Sequence, residues 1–121
     1  MKATITMAYI GGRLSVNAMK IVRAGHRVHR NWPEVDEWLG RLAEKSAIHR
    51  GQFGTPVYVK VTGNFVDERH PDLDNLFKAV FDGLKMGLGI DDKHFIPSSG
   101  GYTIGHEIPF LTIDLEDGLE C

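Results

Sequence analysis

Five of the sixteen acidic residues fall between Arg69 and Phe95, in two tight clusters, Asp72/Asp74 and Asp91/Asp92, with Asp82 between them. The stretch joining the clusters predicts an amphipathic helix. Pro71 fixes its own φ and pushes His70 toward extended backbone, so no helix starts earlier. Asp72 suits an N-cap or first-turn position, where its charge meets the positive end of the helix dipole. At about 100° per residue, Leu73, Leu76, Phe77, Val80, Phe81, Leu84 and Leu88 share one arc, and Asp74, Asn75, Lys78, Asp82 and Lys85 the opposite one. Asp74, Lys78 and Asp82, at i, i+4 and i+8, project from one face. Gly87 and Gly89 are expected to stop the helix. A short extended run, His94 to Ile96, then follows Asp91 and Asp92. Crowded carboxylates repel unless a cation neutralises them. The helix is expected to bring its capping acids near the Asp91/Asp92 pair, which points to a divalent metal.

Each residue also has a plain structural reading. Asp72 could be only a cap, Asp74 only dipole complementarity, and Asp91–Asp92 a solvated turn. Lys78 and Asp82 could be an exposed ion pair of little energetic consequence. An EF-hand loop starting at Asp72 fails, because its fifth and sixth positions would be Leu76 and Phe77 and its twelfth Gly83 rather than Glu. Zinc is disfavoured, since apart from His70 and His94 the cluster offers only oxygens and no Cys. Hard oxygen ligands suit magnesium or manganese.

The run Asp72-Leu73-Asp74-Asn75-Leu76-Phe77-Lys78-Ala79-Val80-Phe81-Asp82-Gly83-Leu84, followed by Gly89-Ile90-Asp91-Asp92, resembles the signature of the RusA family of Holliday junction resolvases. The match is close from Pro71 to Phe95 and loose elsewhere. The resemblance implies a small homodimeric endonuclease that needs Mg²⁺ or Mn²⁺ and cuts four-way DNA junctions symmetrically in recombination and repair. It makes Asp72, Asp74 and Asp92 the catalytic, metal-binding carboxylates and Lys78 the catalytically important lysine. Asn75 and Asp82 are expected to hold the ligands or Lys78 in place, and Asp91 to support Asp92. Where the family carries a proline-containing Ser-x-Asn loop, Ser15 and Asn17 remain but the prolines are absent. Asn17 is still counted among the DNA-binding candidates.

At 121 residues, with 42% hydrophobic and 25% charged residues, the chain is expected to form one globular domain over 1–121. Its single cysteine, Cys121, permits no internal disulfide, which suits a reducing compartment. No apolar run is long enough to span a bilayer, and the first residues lack a signal-peptide core, so a cytoplasmic protein is expected. The net charge of −2 runs mildly against nucleic-acid binding. Its distribution softens the objection, because Lys20, Arg23, Arg27 and Arg30 lie in a stretch without acids. That stretch predicts a small basic hairpin that meets DNA phosphates. Arg69 is the other basic candidate, on the loop before the acids.

Elsewhere, Lys2 to Ile10 alternates as a strand. Asn31-Trp32-Pro33-Glu34 reads as a capped helix start, leading into a core stripe of Val35, Trp38, Leu39, Leu42 and Ala43. Val57, Val59 and Val61 alternate with Tyr58, Lys60 and Thr62 in a central strand. Pro97-Ser98-Ser99-Gly100-Gly101 reads as a turn-rich link, Tyr102–Ile104 and Phe110–Leu115 as strands, and Glu116 onward as a frayed tail. The expected fold is α+β, with one mixed, mostly antiparallel sheet of about four to five strands and two helices. Two rival functions use the same acids: another structure-specific metal nuclease acting on flaps, single strands or RNA, and a non-catalytic junction-binding protein.

Overall fold

The computed structural model describes residues 1–15, 20–23, 27–30 and 32–118. Along the described chain come β1 (Lys2–Ala8), β2 (Lys20–Arg23), β3 (Arg27–Arg30), α1 (Pro33–Ala47), β4 (Val57–Asn64), α2 (Phe77–Leu88), β5 (Phe95–Thr103) and β6 (Phe110–Asp117). One four-stranded mixed sheet has the order β1-β6-β4-β5, and β2 and β3 form a separate two-stranded ribbon. The α+β class and the two helices are as the sequence predicts.

Alternation sets the sheet's two faces. Ile5 and Met7 of β1, Val57, Val59 and Val61 of β4, and Leu111, Ile113 and Leu115 of β6 are buried. Their neighbours along each strand are more exposed, because successive strand residues point to opposite faces. The helices cover the buried face. In α1, Val35, Trp38, Leu39 and Leu42 go inward, and the indole N–H of Trp38 donates to the Ala8 carbonyl at 2.7 Å, so Trp38 is core. Pro33 is the first helical residue and Trp32 stands at the cap position; Asn31, the expected cap, lies outside the described residues.

The fold corrects three readings of single segments. Pro97 to Gly101 is no link: it lies inside β5, a nine-residue strand that only Phe95 buries. An edge position tolerates Pro97. Gly101, at φ +77°, takes the bulge that shifts the register between Val61 and Gly63. The tail does not fray at Glu116, because β6 continues to Asp117. Asp117 is 2% exposed, and its carboxylate accepts from the Gly54 N–H at 2.7 Å and the Met1 amine at 3.0 Å. Cys121 lies outside the described residues.

The third correction concerns Gly87, which does not end α2. Gly89, in the left-handed region, caps it. Gly87 is buried where α2 crosses α1: a Cβ there would stand 1.9 Å from Ser46 Oγ and 2.4 Å from the Ala43 carbonyl oxygen. Backbone cannot yield as a flexible side chain can, so Gly87→Ala is expected to destabilise the fold by about 1–3 kcal/mol. A denaturant midpoint unchanged from the parent protein would contradict this close crossing.

Candidate functional site

β4 and β5 are parallel neighbours, with Val57 opposite Phe95 and Asn64 opposite Thr103. Such neighbours need a crossover, and here it is the loop 65–72, a 3₁₀ turn at Leu73–Leu76, and α2. The chain leaves β4 at its C-terminal end, returns along α2, and enters β5 at the opposite end of the sheet. The sequence predicts one continuous helix from Asp72; the first turn is instead 3₁₀. The tighter turn keeps Leu73 and Leu76 buried and leaves Asp72 and Asp74 exposed.

Asp72 occupies the N-cap position of that turn, yet its side chain makes no capping hydrogen bond. Its carbonyl accepts from the Asn75 N–H at 3.0 Å. Among the described residues, neither the Asp72 nor the Asp74 carboxylate has a hydrogen-bond or ion-pair partner. The plain capping reading of Asp72 therefore lacks its bond. Lys78 Nζ donates to Asp82 Oδ2 at 3.0 Å across one helical turn, an exposed ion pair. Asn75 is half-buried beside them.

The loop before Asp72 is packed by rings, which sequence reasoning passed over. His70 stacks on Phe65 with centroids 4.1 Å apart and planes 11° apart, and meets Tyr102 edge-on at 4.4 Å. The Tyr102 hydroxyl donates to Glu68 Oε2 at 2.9 Å. This bond and the Glu68 charge raise the Tyr102 pKa, with burial and the charge of Asp72 adding to the shift. Asp72 thus lies within electrostatic reach of Tyr102, near the C-terminal end of β5. Arg69 bonds Asp67 through its backbone N–H and its guanidinium, so this DNA-binding candidate is already partnered.

Asp91 and Asp92 sit at the other end of α2. Asp91 caps the 3₁₀ turn Asp92–His94, which takes the place of the expected start of a strand, and accepts from the Lys93 N–H at 3.2 Å. That N–H, with the charges of Lys85 and Lys93 adding to it, holds the Asp91 carboxyl below the usual range. It stays ionised beside Asp92, which is also exposed.

The structure therefore sets Asp72 and Asp74 on the turn before α2, pairs Lys78 with Asp82 on the helix itself, and puts Asp91 and Asp92 beyond the helix's other end. It does not bring the two groups together, contrary to the expectation that the helix would join them. The reason is length: the twelve residues of α2 span about 18 Å at ~1.5 Å per residue. The donors are carboxylate oxygens, which fit hard divalent ions. Yet among the described residues no three His, Cys, Asp or Glu side chains gather into a group able to hold a metal. One chain carries two separate pairs of exposed carboxylates, Asp72 with Asp74 and Asp91 with Asp92.

In the basic ribbon, the register sets Lys20 opposite Arg30 and Arg23 opposite Arg27. Asn17 and the turn 24–26 lie outside the described residues. No helix among the described residues is long and apolar enough to cross a membrane.

Comparison with known proteins completes the assignment. A search of curated proteins found no match. The family described as Endodeoxyribonuclease RusA matches residues 36–116, a span running from α1 through both acidic clusters to the last strand of the sheet. The chain belongs to the endodeoxyribonuclease RusA family, nucleases that resolve Holliday junctions in recombination and repair.

Proposed function

We propose that the chain acts as a two-fold homodimer in which each catalytic centre is shared, with Asp72 and Asp74 from one copy and Asp92 from the other, and that the two centres nick a four-way junction symmetrically. The observation that carries this reading is the separation of two half sets of exposed carboxylates to opposite ends of one helix. A two-fold axis perpendicular to α2 relates two antiparallel copies, so the Asp72/Asp74 end of each can meet the Asp92 end of the other and two equivalent complete sets result. β5, exposed along all but its first residue, runs from one half set toward the other.

Resolvase nucleases of this kind generally use divalent metal ions. Asp72, Asp74 and Asp92 would hold Mg²⁺, or Mn²⁺ in its place, and such an ion supplies hydroxide at neutral pH and stabilises charge on the phosphoryl group. The chain's own residues do the positioning. Asp82 aims the Lys78 ammonium along the face that carries Asp74, where it would meet negative charge on the scissile phosphate. Asp91, kept ionised by the Lys93 N–H, holds the turn that presents Asp92. Lys20, Arg23, Arg27 and Arg30 would neutralise DNA phosphates, with Asn17 and Arg69 as further DNA contacts.

The test is nicking of a synthetic four-way junction beside linear duplex and flap substrates. Junction cutting is expected with Mg²⁺, with a loss of at least ~10²-fold on chelation and recovery when Mg²⁺ is restored. Equal cutting in chelator would remove the metal, and faster cutting of flaps or duplex would remove the junction.

A further inference from the structure

We propose that His70 is a positioning residue for Asp72, acting through the peptide that joins Pro71 to Asp72; this rests on Asp72 belonging to the catalytic set. His70 Nδ1 lies 3.0 Å from the Pro71 carbonyl oxygen. A carbonyl can only accept, so Nδ1 carries the hydrogen and Nε2 is left with a lone pair in the neutral ring. Nε2 is buried without a hydrogen-bond partner. Glu68 Oε2, 4.0 Å away, is beyond hydrogen-bond distance.

A side chain only 9% exposed that leaves a ring nitrogen unsatisfied needs an explanation. The bond at the other nitrogen supplies one. Phe65 and Tyr102 fix the plane of the ring, and the Tyr102 hydroxyl anchors that wall to Glu68. The ring in turn fixes the Pro71 carbonyl, and so the peptide plane from which the Asp72 Cα hangs. On the far side of Asp72, its own carbonyl is held by the Asn75 N–H. Both peptides flanking Asp72 are clamped while its carboxylate is left free. That is the arrangement a ligand needs if it is to be rigid in place and open in chemistry.

The structure predicts different outcomes for different replacements. His70→Phe keeps a ring to stack on Phe65 and loses the Nδ1 donor. Single-turnover cutting of a junction is expected to fall about 10- to 100-fold, with junction affinity and melting temperature close to those of the parent. His70→Asn places an N–H near the Nδ1 position and is expected to recover cutting relative to His70→Ala, even if both melt lower. Parental cutting by His70→Phe, or activity that follows melting temperature alone across the three variants, would overturn the positioning role. Asp72→Asn, measured alongside, separates the two ideas. If it still cuts, the assignment of Asp72 has failed; if it is inert while His70→Phe is unaffected, only the inference about His70 has.

Discussion

Asp74→Asn is expected to lower junction cutting by at least ~10³-fold, because a metal ligand and its charge disappear where the phosphate's charge must be balanced. Binding should survive. Asp74 is exposed and without a partner among the described residues, so its loss leaves no buried group unsatisfied, and stability should change by no more than about 0.5 kcal/mol. Junction affinity should hold or rise, since one charge of the same sign as the phosphate has gone. The informative measurement pairs a gel-shift titration with a cleavage time course on the same preparation. A variant that binds, melts like the parent and does not cut fits a catalytic carboxylate. One that neither binds nor folds would assign Asp74 a structural role instead, and one that cuts normally would take it out of the centre.

Mixing two inactive proteins is expected to restore cutting. In the shared-centre dimer, an Asp74→Asn chain retains Asp92, and an Asp92→Asn chain retains Asp74. In a heterodimer one centre carries both substitutions and the other carries none. Free exchange of subunits makes half of the dimers mixed, so about a quarter of the centres should work. The product pattern is more telling than the rate. Each mixed dimer has one live centre, so it should nick one strand and fail to make the paired cuts that release two linear duplexes. If each centre were built within a single chain, the mixture would be as inert as its components. Mixing Asp72→Asn with Asp74→Asn is the control, because both affect the same half set and no combination of them completes a centre.

The chain was legible wherever a single element governed the outcome. The alternation around Val57, Val59 and Val61 gave a central strand, and the stripe through Trp38 and Leu42 gave the covering helix. The pairing of Lys78 with Asp82 followed from helical spacing alone. The misreadings share a cause, which is that a neighbour overrode a local signal. Pro97 to Gly101 has turn composition but lies in a strand, because β4 offers a parallel ladder and the edge accepts proline. Gly87 reads as a stop, yet it is buried against the α1 backbone at Ala43. Asp117 reads as solvated tail, and Gly54, far away in sequence, makes it a buried acceptor. The ring stack of Phe65, His70 and Tyr102 depends on which residues meet across β4 and β5, and no periodicity within one segment reveals that. The distance between the acidic clusters was accessible from the start. A helix of this length sets its two ends well apart, and only the assumption that neighbouring motifs must converge obscured it.

In the proposed dimer the crossover through α2 would also work as a ruler. The helix is a stiff rod, bolted to α1 at Gly87, and it determines how far Asp72 and Asp74 lie from Asp92 in each chain. In a symmetric pair, the same rod would then dictate the gap between the two incisions. The spacing of cuts on the DNA would be encoded in the number of helical turns rather than in any loop, and it would resist drift in the surrounding sequence as long as those turns are kept.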